Sequence, residues 1–280
     1  MVKVNLFDKR IVKQFLEFTS GISVGLSLLL IFIEIPKEVK LTLGSIFAAI
    51  LLVIYIFLWF KSNNLEEVNL DVEGSIVTVK KGDIFKQPGF KVIAFNEYFD
   101  TQVDDKIISQ QSLNGIFVTN HLDVSVSVAE LDKYIENYSF DDDEILGENT
   151  ARRFGKRIRH SIGTVCVYND YLLTAFSKFD EQNRASLTMP DYLGFLISFW
   201  DKVNRVYAQK SVSVPIFGSG ITRIKEHKNI SDEELLKIML WTFRISEMRF
   251  KYPAKLHIII HAGKIDRINL LDIKSAKNGL

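Results

Sequence analysis

The strongest constraint in this sequence is a run of 20 residues without one charge, Leu41 to Phe60 (LTLGSIFAAILLVIYIFLWF). A second uncharged stretch, Phe18 to Ile33 (FTSGISVGLSLLLIFI), comes before it, and Phe15 and Leu16 extend it if Glu17 is tolerated near an interface. A hydrocarbon core about 30 Å thick takes roughly 20 helical residues, so the later run spans it alone and the earlier run does so with its flank. Neither run alternates as a barrel strand does, which leaves the helix as the way to satisfy the backbone in lipid. The chain as a whole is 47% hydrophobic, an ordinary figure for a soluble protein, so the apolar excess is local.

Two other readings compete. A signal peptide would need a small-residue cleavage site before the second run, and none is there. Buried helices of a soluble core would be unusually long and apolar. The loop between the runs, Glu34 to Lys40, is short, polar and holds Pro36, which suits a tight hairpin. The expected organisation is a transmembrane hairpin over residues 1–63, with spans at about 15–34 and 41–60, followed by one soluble domain over residues 64–280.

Lys3, Lys9, Arg10 and Lys13 precede the first run and Lys61 follows the second, against Lys37 and Lys40 between them. The positive-inside bias then puts both termini and the soluble domain in the cytoplasm, with the spans in the inner (plasma) membrane. A lone cysteine, Cys166, agrees with a reducing compartment. The net charge of +1 argues against a general nucleic-acid binder. Gly21 and Gly25 form a G-x-x-x-G, and Gly44 with Ala48 a weaker small-residue pair. Such faces let helices approach closely, either within one hairpin or between copies in a homo-oligomer surrounded by lipid.

Past Asn64 the pattern changes to short β-rich runs alternating with helical segments. Val68–Val72 and Ile76–Val79 read as a hairpin turned by Glu73-Gly74. Residues 91–96, 163–168, 171–176, 212–217 and 256–261 read as further strands, several of them apolar throughout, as strands covered on both faces are. Thr188–Lys210 reads as a long helix, and Ser231-Asp232-Glu233-Glu234 as a capping box opening another that runs to Met248. This alternation implies a three-layer α/β/α domain with a mixed sheet.

Three loops stand out as ligand loops: Gly82-Asp83-Ile84, the segment Asn96 to Thr101, and Pro215 to Thr222 with its Gly-Ser-Gly. Ligands of open α/β sheets bind beyond the carboxyl ends of the strands, where glycines let backbone N–H groups approach an anion. In that order the loops resemble a macro domain, the ADP-ribose-binding fold, over roughly residues 70 to 270. The resemblance implies that Asp83 and Ile84 hold adenine and that Gly218, Ser219, Gly220, Ile221 and Thr222 hold the phosphates and distal ribose. It leaves Asn96, Asp100 and Thr101 lining a reshaped pocket near the distal ribose.

The two-run anchor, the segment GDIFKQPGFKVIAFNEYFDTQVDD and the nearby Ser112-Leu113-Asn114-Gly115 together resemble the membrane-macro effectors of type II Thoeris anti-phage systems. That resemblance implies a sensor for an ADP-ribose derivative, for instance an amino-acid conjugate such as histidine-ADP-ribose, made by a TIR-domain partner enzyme. Ligand binding would drive oligomerisation and membrane disruption, ending in abortive infection. Hydrolytic macro domains carry Asn-Ala-Ala-Asn and a glycine run after the strand, whereas here Asn96 leads into Glu97-Tyr98-Phe99-Asp100. No catalytic residue, resident cofactor or metal is therefore expected. The alternatives are a membrane-anchored ADP-ribosyl hydrolase with its base among Glu97, Asp100 and Asp104, and a ligand-free membrane scaffold.

Other features read as structural. His257 and His261 have helical metal spacing but fall in a strand, and Cys166 lies inside an apolar strand. Asp141 to Glu144, followed by Arg152, Arg153, Lys156 and Arg157, reads as a solvated acidic loop beside a basic helix. Glu17 reads as an interfacial residue that snorkels.

Overall fold

The computed structural model describes residues 3–33, 35–122, 127–227 and 229–275, so Glu34 of the first expected span and Lys228 lie outside it. The chain divides into two units: the residues up to Glu66 with Asn269–Asp272, and Glu67–Ile268 with the residues from Ile273 onward.

The first unit is built on helices α1 (Lys9–Leu30) and α2 (Lys37–Asn63). The start of α1 lies beside the end of α2: the Phe15 and Tyr55 rings meet edge to face at 5.3 Å. The Trp59 indole donates to the Val4 carbonyl at 3.0 Å, and Asn63 Oδ1 accepts from Lys3 N at 2.7 Å. Hydroxyls that lipid would leave stranded are satisfied inside α1, where Thr19 donates to the Phe15 carbonyl and Ser27 to the Ser23 carbonyl, each at 2.8 Å. Of the two expected spans, α2 alone among the described residues is long and apolar enough to cross a membrane; its mean hydropathy reaches 2.6, with none of that stretch buried. Helix α1 begins earlier than the apolar run because Asp8 caps it, accepting from Arg10 N. The cap draws Lys9, Arg10, Lys13 and Glu17 into the helix, and α1 ends at Leu30, before Ile31 to Ile33.

The second unit opens with β1 (Glu67–Val72) and β2 (Ser75–Lys81), an antiparallel pair. Glu73 (φ 50°) and Gly74 (φ 80°) both take left-handed backbone, the type I′ geometry that matches strand twist. Then come β3 (Phe90–Asn96), α3 (Leu113–Asn120), α4 (Val128–Glu136), and the small hairpin of β4 (Ile145–Glu148) and β5 (Ile158–His160). Next are β6 (Val165–Tyr168), β7 (Tyr171–Phe179), β8 (Ala185–Leu187), α5 (Met189–Val206) and β9 (Val212–Pro215). β10 (Arg223–Ile224), α6 (Asp232–Ile245), β11 (Leu256–Ile260) and α7 (Leu270–Ser275) complete the chain. The sheet runs β1-β2-β11-β9-β3-β7, continuing to β8 and β10, with β6 also paired to β7.

Strands β2, β11, β9, β3 and β7 are parallel, β1 runs antiparallel to β2, β6 and β8 run antiparallel to β7, and β10 is parallel to β8. One face packs Phe95, Phe99, Phe117, Leu131, Ile135 and Cys166 beneath α3 and α4. The other stacks Phe176, Phe195, Phe199 and Phe217 under α5 and α6, with Trp200 against Phe243 at 5.2 Å. The mixed, three-layer sandwich expected from the sequence is the fold that forms.

Several local expectations need correction. Helix α5 stops at Val206 because Ala208 and Gln209 turn left-handed (φ 47° and 58°), and α6 stops at Ile245, where Ser246 takes an extended ψ of 165°. Strand β7 runs on to Phe179 because its second half gains an antiparallel partner in β8. The segment Asp141–Arg157 is solvated at Asp141, Asp142, Asp143, Arg153 and Arg157 but holds no α-helix: it carries β4 and the turn to β5, with Glu144 buried against Lys202 at 3.0 Å and Arg152 buried too.

Candidate functional site

Five parallel strands end at the same edge of the sheet, at Lys81, Ile260, Pro215, Asn96 and Phe179 in spatial order. Chain leaving β3 travels toward β7; chain leaving β9 first crosses to that side too, where β10 pairs with β8, and α6 then returns it to β11 on the other side. Between β9 and β3 the sequence order of the parallel strands reverses, the kind of position at which open α/β sheets bind ligands. β3 and β9 are in register only at Phe90–Val212 and Lys91–Ser213, near their starts.

The three ligand loops proposed from sequence all leave this edge. Asp83 is exposed beyond β2 and accepts from Phe85 N at 3.0 Å, opening the 3-10 turn Ile84–Lys86, with Ile84 buried beneath. Phe85 stacks on His121 with ring centres 3.7 Å apart. Beyond β9, Phe217 plugs the core and its carbonyl accepts from the buried Tyr192 hydroxyl at 3.0 Å. Gly218 then takes φ +81°, which a side chain would resist, and the chain surfaces through Ser219, Gly220, the half-exposed Ile221 and Thr222. A Cβ added at Gly220 meets nothing within 4 Å.

The loop after β3 is different in kind. Asn96, Asp100 and Thr101 are all buried, at 2%, 1% and 4% exposure, and their polar groups are already engaged. Asn96 Oδ1 accepts from Tyr98 N at 2.9 Å while its amide donates to Asp100 at 3.0 Å. Asp100 also forms an ion pair with Arg152 at 2.7 Å and accepts from Lys156 N at 2.8 Å. Thr101 donates to Asp132 at 2.5 Å, and Asp132 pairs with Lys156 at 2.6 Å. The Arg152 guanidinium lies 3.8 Å over the Tyr98 ring and donates to Asn183 at 2.9 Å. These three side chains thus brace the loop. Nothing in the sequence near Arg152 announces that role, because its partner lies 52 residues away.

Glu97 faces a cavity of about 610 Å³ beside this loop, lined also by Arg159, Lys178, Asp180, Asp191 and Lys225. Burial pushes the Glu97 carboxyl above the ordinary carboxylate range, although Phe179 N donates to it at 3.0 Å and Arg159 stands 3.9 Å away. Asp104 is held instead by the N–H groups of Lys106 and Ile107, which lower its pKa.

Elsewhere, burial pushes the Cys166 thiol up to about 12, so it stays protonated, and pushes His257 down to about 4. Among the described residues no group of three or more His, Cys, Asp or Glu is placed to hold a metal. Glu17 is exposed on α1, 3.9 Å from Lys13. On α1 and α2, Gly21, Gly25, Gly44 and Ala48 are all exposed, and a Cβ added at any of the three glycines meets nothing within 4 Å.

Comparison with known proteins fits this geometry. The family model described as "Thoeris protein ThsA, Macro domain" matches residues 77–261, a stretch holding all three loops. A Thoeris protein ThsA from Bacillus amyloliquefaciens (strain Y2) is 38% identical over 280 residues, covering 98% of this chain and 92% of that protein. Among solved structures, an Oceanobacillus iheyensis macrodomain with MES bound aligns over 75% of this chain and 94% of its own, at 14% identity and a TM-score of 0.40. An aspartate-to-alanine mutant of that macrodomain aligns over 76% and 96%, at 13% identity and a TM-score of 0.41. By the family match and the 38% identity across nearly its whole length, the chain belongs to the ThsA family of Thoeris proteins, with a macro domain behind an apolar N-terminal helix.

Proposed function

We propose that this protein is a membrane-anchored anti-phage effector whose macro domain senses an ADP-ribose derivative and responds by assembling in the membrane. The observation that carries the reading is that all three loops leave the same carboxyl edge of the parallel strands, Asp83 after β2, Asn96 at the end of β3 and Gly218–Ile221 after the neighbouring β9. Backbone N–H groups around Gly218 to Ile221 suit a diphosphate. Asp83 and Ile84 take the adenine. Asn96, Asp100 and Thr101 shape the loop toward the distal ribose, and the cavity at Glu97 leaves room for a group added to that ribose.

The domain senses rather than turns over. Asp100 and Asp104 are each committed to several donors, which leaves neither presented as a base. The raised carboxyl of Glu97 beside a cavity is the one observation favouring the hydrolase alternative, which expects Glu97→Gln to abolish turnover of an ADP-ribosylated substrate.

On this account both α1 and α2 cross the inner membrane, the domain and both termini are cytoplasmic, and a TIR-domain partner supplies the signal. The small-residue faces at Gly21, Gly25, Gly44 and Ala48 are open within one chain, so they serve contacts between copies. Gly25→Ile should block ligand-driven assembly, seen by crosslinking in membranes, without changing ligand affinity; assembly at the wild-type level would remove that face from the account.

The test of the ligand is calorimetric titration of the full-length protein in detergent with ADP-ribose and with histidine-ADP-ribose. Binding of either, with stabilisation of about 2.7 kcal/mol at one hundred times the dissociation constant, supports the sensor. Binding of neither, with no thermal shift, favours the scaffold alternative.

A further inference from the structure

The Gly218–Ile221 loop offers backbone donors to an anion; the rest of its connection carries Arg223, Lys225 and Glu226 and then runs into Asp232, Glu233 and Glu234 in the first turn of α6. These carboxylates oppose a diphosphate. The cation in contact with the loop itself comes from a different strand. Lys264, in the turn after β11, reaches the loop after the neighbouring parallel strand β9. Its ammonium donates to the Ser219 carbonyl, to Ser219 Oγ at 3.0 Å and to Asp232 at 3.4 Å. The Asp232 contact is longer than the roughly 2.7–2.9 Å of a strong charge-assisted bond, so the carboxylate holds the ammonium loosely. The side chain is 29% exposed, reachable from solvent although anchored on the loop.

We infer that Lys264 is the countercharge of this site: it swings from Asp232 to a phosphate oxygen when a diphosphate settles on the Gly218–Ile221 loop, keeping its hold on Ser219. A lysine suits this exchange, since its ammonium is a point charge with three donors on a flexible stem. Ser219 keeps two of those donors beside the loop, and the third changes partner. The exchange makes the site select charged nucleotides over nucleosides, and it frees Asp232 at the head of α6 whenever ligand is bound. The inference rests on the ADP-ribose reading above and adds the residue that supplies its charge recognition.

The test is titration of full-length wild type, Lys264→Met, Lys264→Arg and Asp232→Asn in detergent with ADP-ribose. Loss of a charge-assisted bond predicts that Lys264→Met binds about tenfold to a hundredfold more weakly. That gap should narrow at about 1 M salt, where charges are screened within about 3 Å. Lys264→Arg should recover most of the loss, and Asp232→Asn, which removes the competitor, should bind at least as tightly as wild type. A Lys264→Met protein within twofold of wild type overturns the inference and leaves the reading intact. A loss that ignores salt and is not restored by arginine also overturns it, because Lys264 would then only brace the loop. Failure of wild type to bind ADP-ribose overturns the reading itself, and the inference with it.

Discussion

Gly220→Asp should abolish binding of an ADP-ribose derivative while leaving the fold intact. The position is exposed and an added Cβ meets nothing within 4 Å, so the aspartate is accommodated without displacing a neighbour. Its carboxylate would stand on the Gly218–Ile221 loop, where the phosphates must approach. Two like charges about 4 Å apart repel by about 4 kcal/mol near a protein surface, roughly a thousandfold in affinity. Calorimetry on the full-length protein reads the affinity, and an unchanged melting temperature without ligand confirms that the fold is kept. Wild-type affinity in this variant would remove the loop from the site. Gly218 makes a poorer test, because its φ of +81° means that any side chain brings strain as well as charge.

Arg152→Met should give the largest loss of stability. Arg152 and Asp100 are 6% and 1% exposed as side chains, and removing one partner leaves a buried charge without its counterion. The cost of such a break is about 3–5 kcal/mol. For a domain of this size that corresponds to a fall in melting temperature of about 6–20 °C. Adding Asp100→Asn to Arg152→Met should recover part of the loss, since the unpaired charge is then gone. A melting temperature equal to wild type would mean that the network braces nothing. The two substitutions separate two roles: Gly220→Asp removes the ligand and keeps the fold, whereas Arg152→Met loosens the loop after β3.

Much of the scaffold was legible because its cues are local. Glu73-Gly74 between two alternating runs marks a type I′ hairpin, and Ser231 with Glu234 forms the reciprocal capping box the sequence announces. Thr188 likewise caps α5 with Asp191. Strands read as continuous apolar runs, such as Leu256–Ile260, sit at the centre of the sheet.

What stayed hidden depends on partners far away in the chain. The cluster at Arg152 to Arg157 reads as a basic helix beside a solvated acidic loop because Asp100 and Asp132, which neutralise Arg152 and Lys156, lie on other elements. Lys264 carried no cue either, since its relation to Ser219 exists only once β11 pairs with β9. Asn96, Asp100 and Thr101 could be placed after a strand, but their burial in one network could not be read from their spacing. The start of α1 was missed for a simpler reason: apolarity locates a span, whereas the Asp8 cap locates the helix.

The central claim is that ligand binding changes how the chains assemble, which requires the ligand to favour one assembly state over another. Its most direct test is the mass of the full-length protein in lipid nanodiscs or detergent, measured with and without histidine-ADP-ribose at a concentration that saturates the site. The account expects ligand to shift wild type to a larger assembly and to leave Gly220→Asp unchanged. An identical mass distribution with and without bound ligand would contradict it.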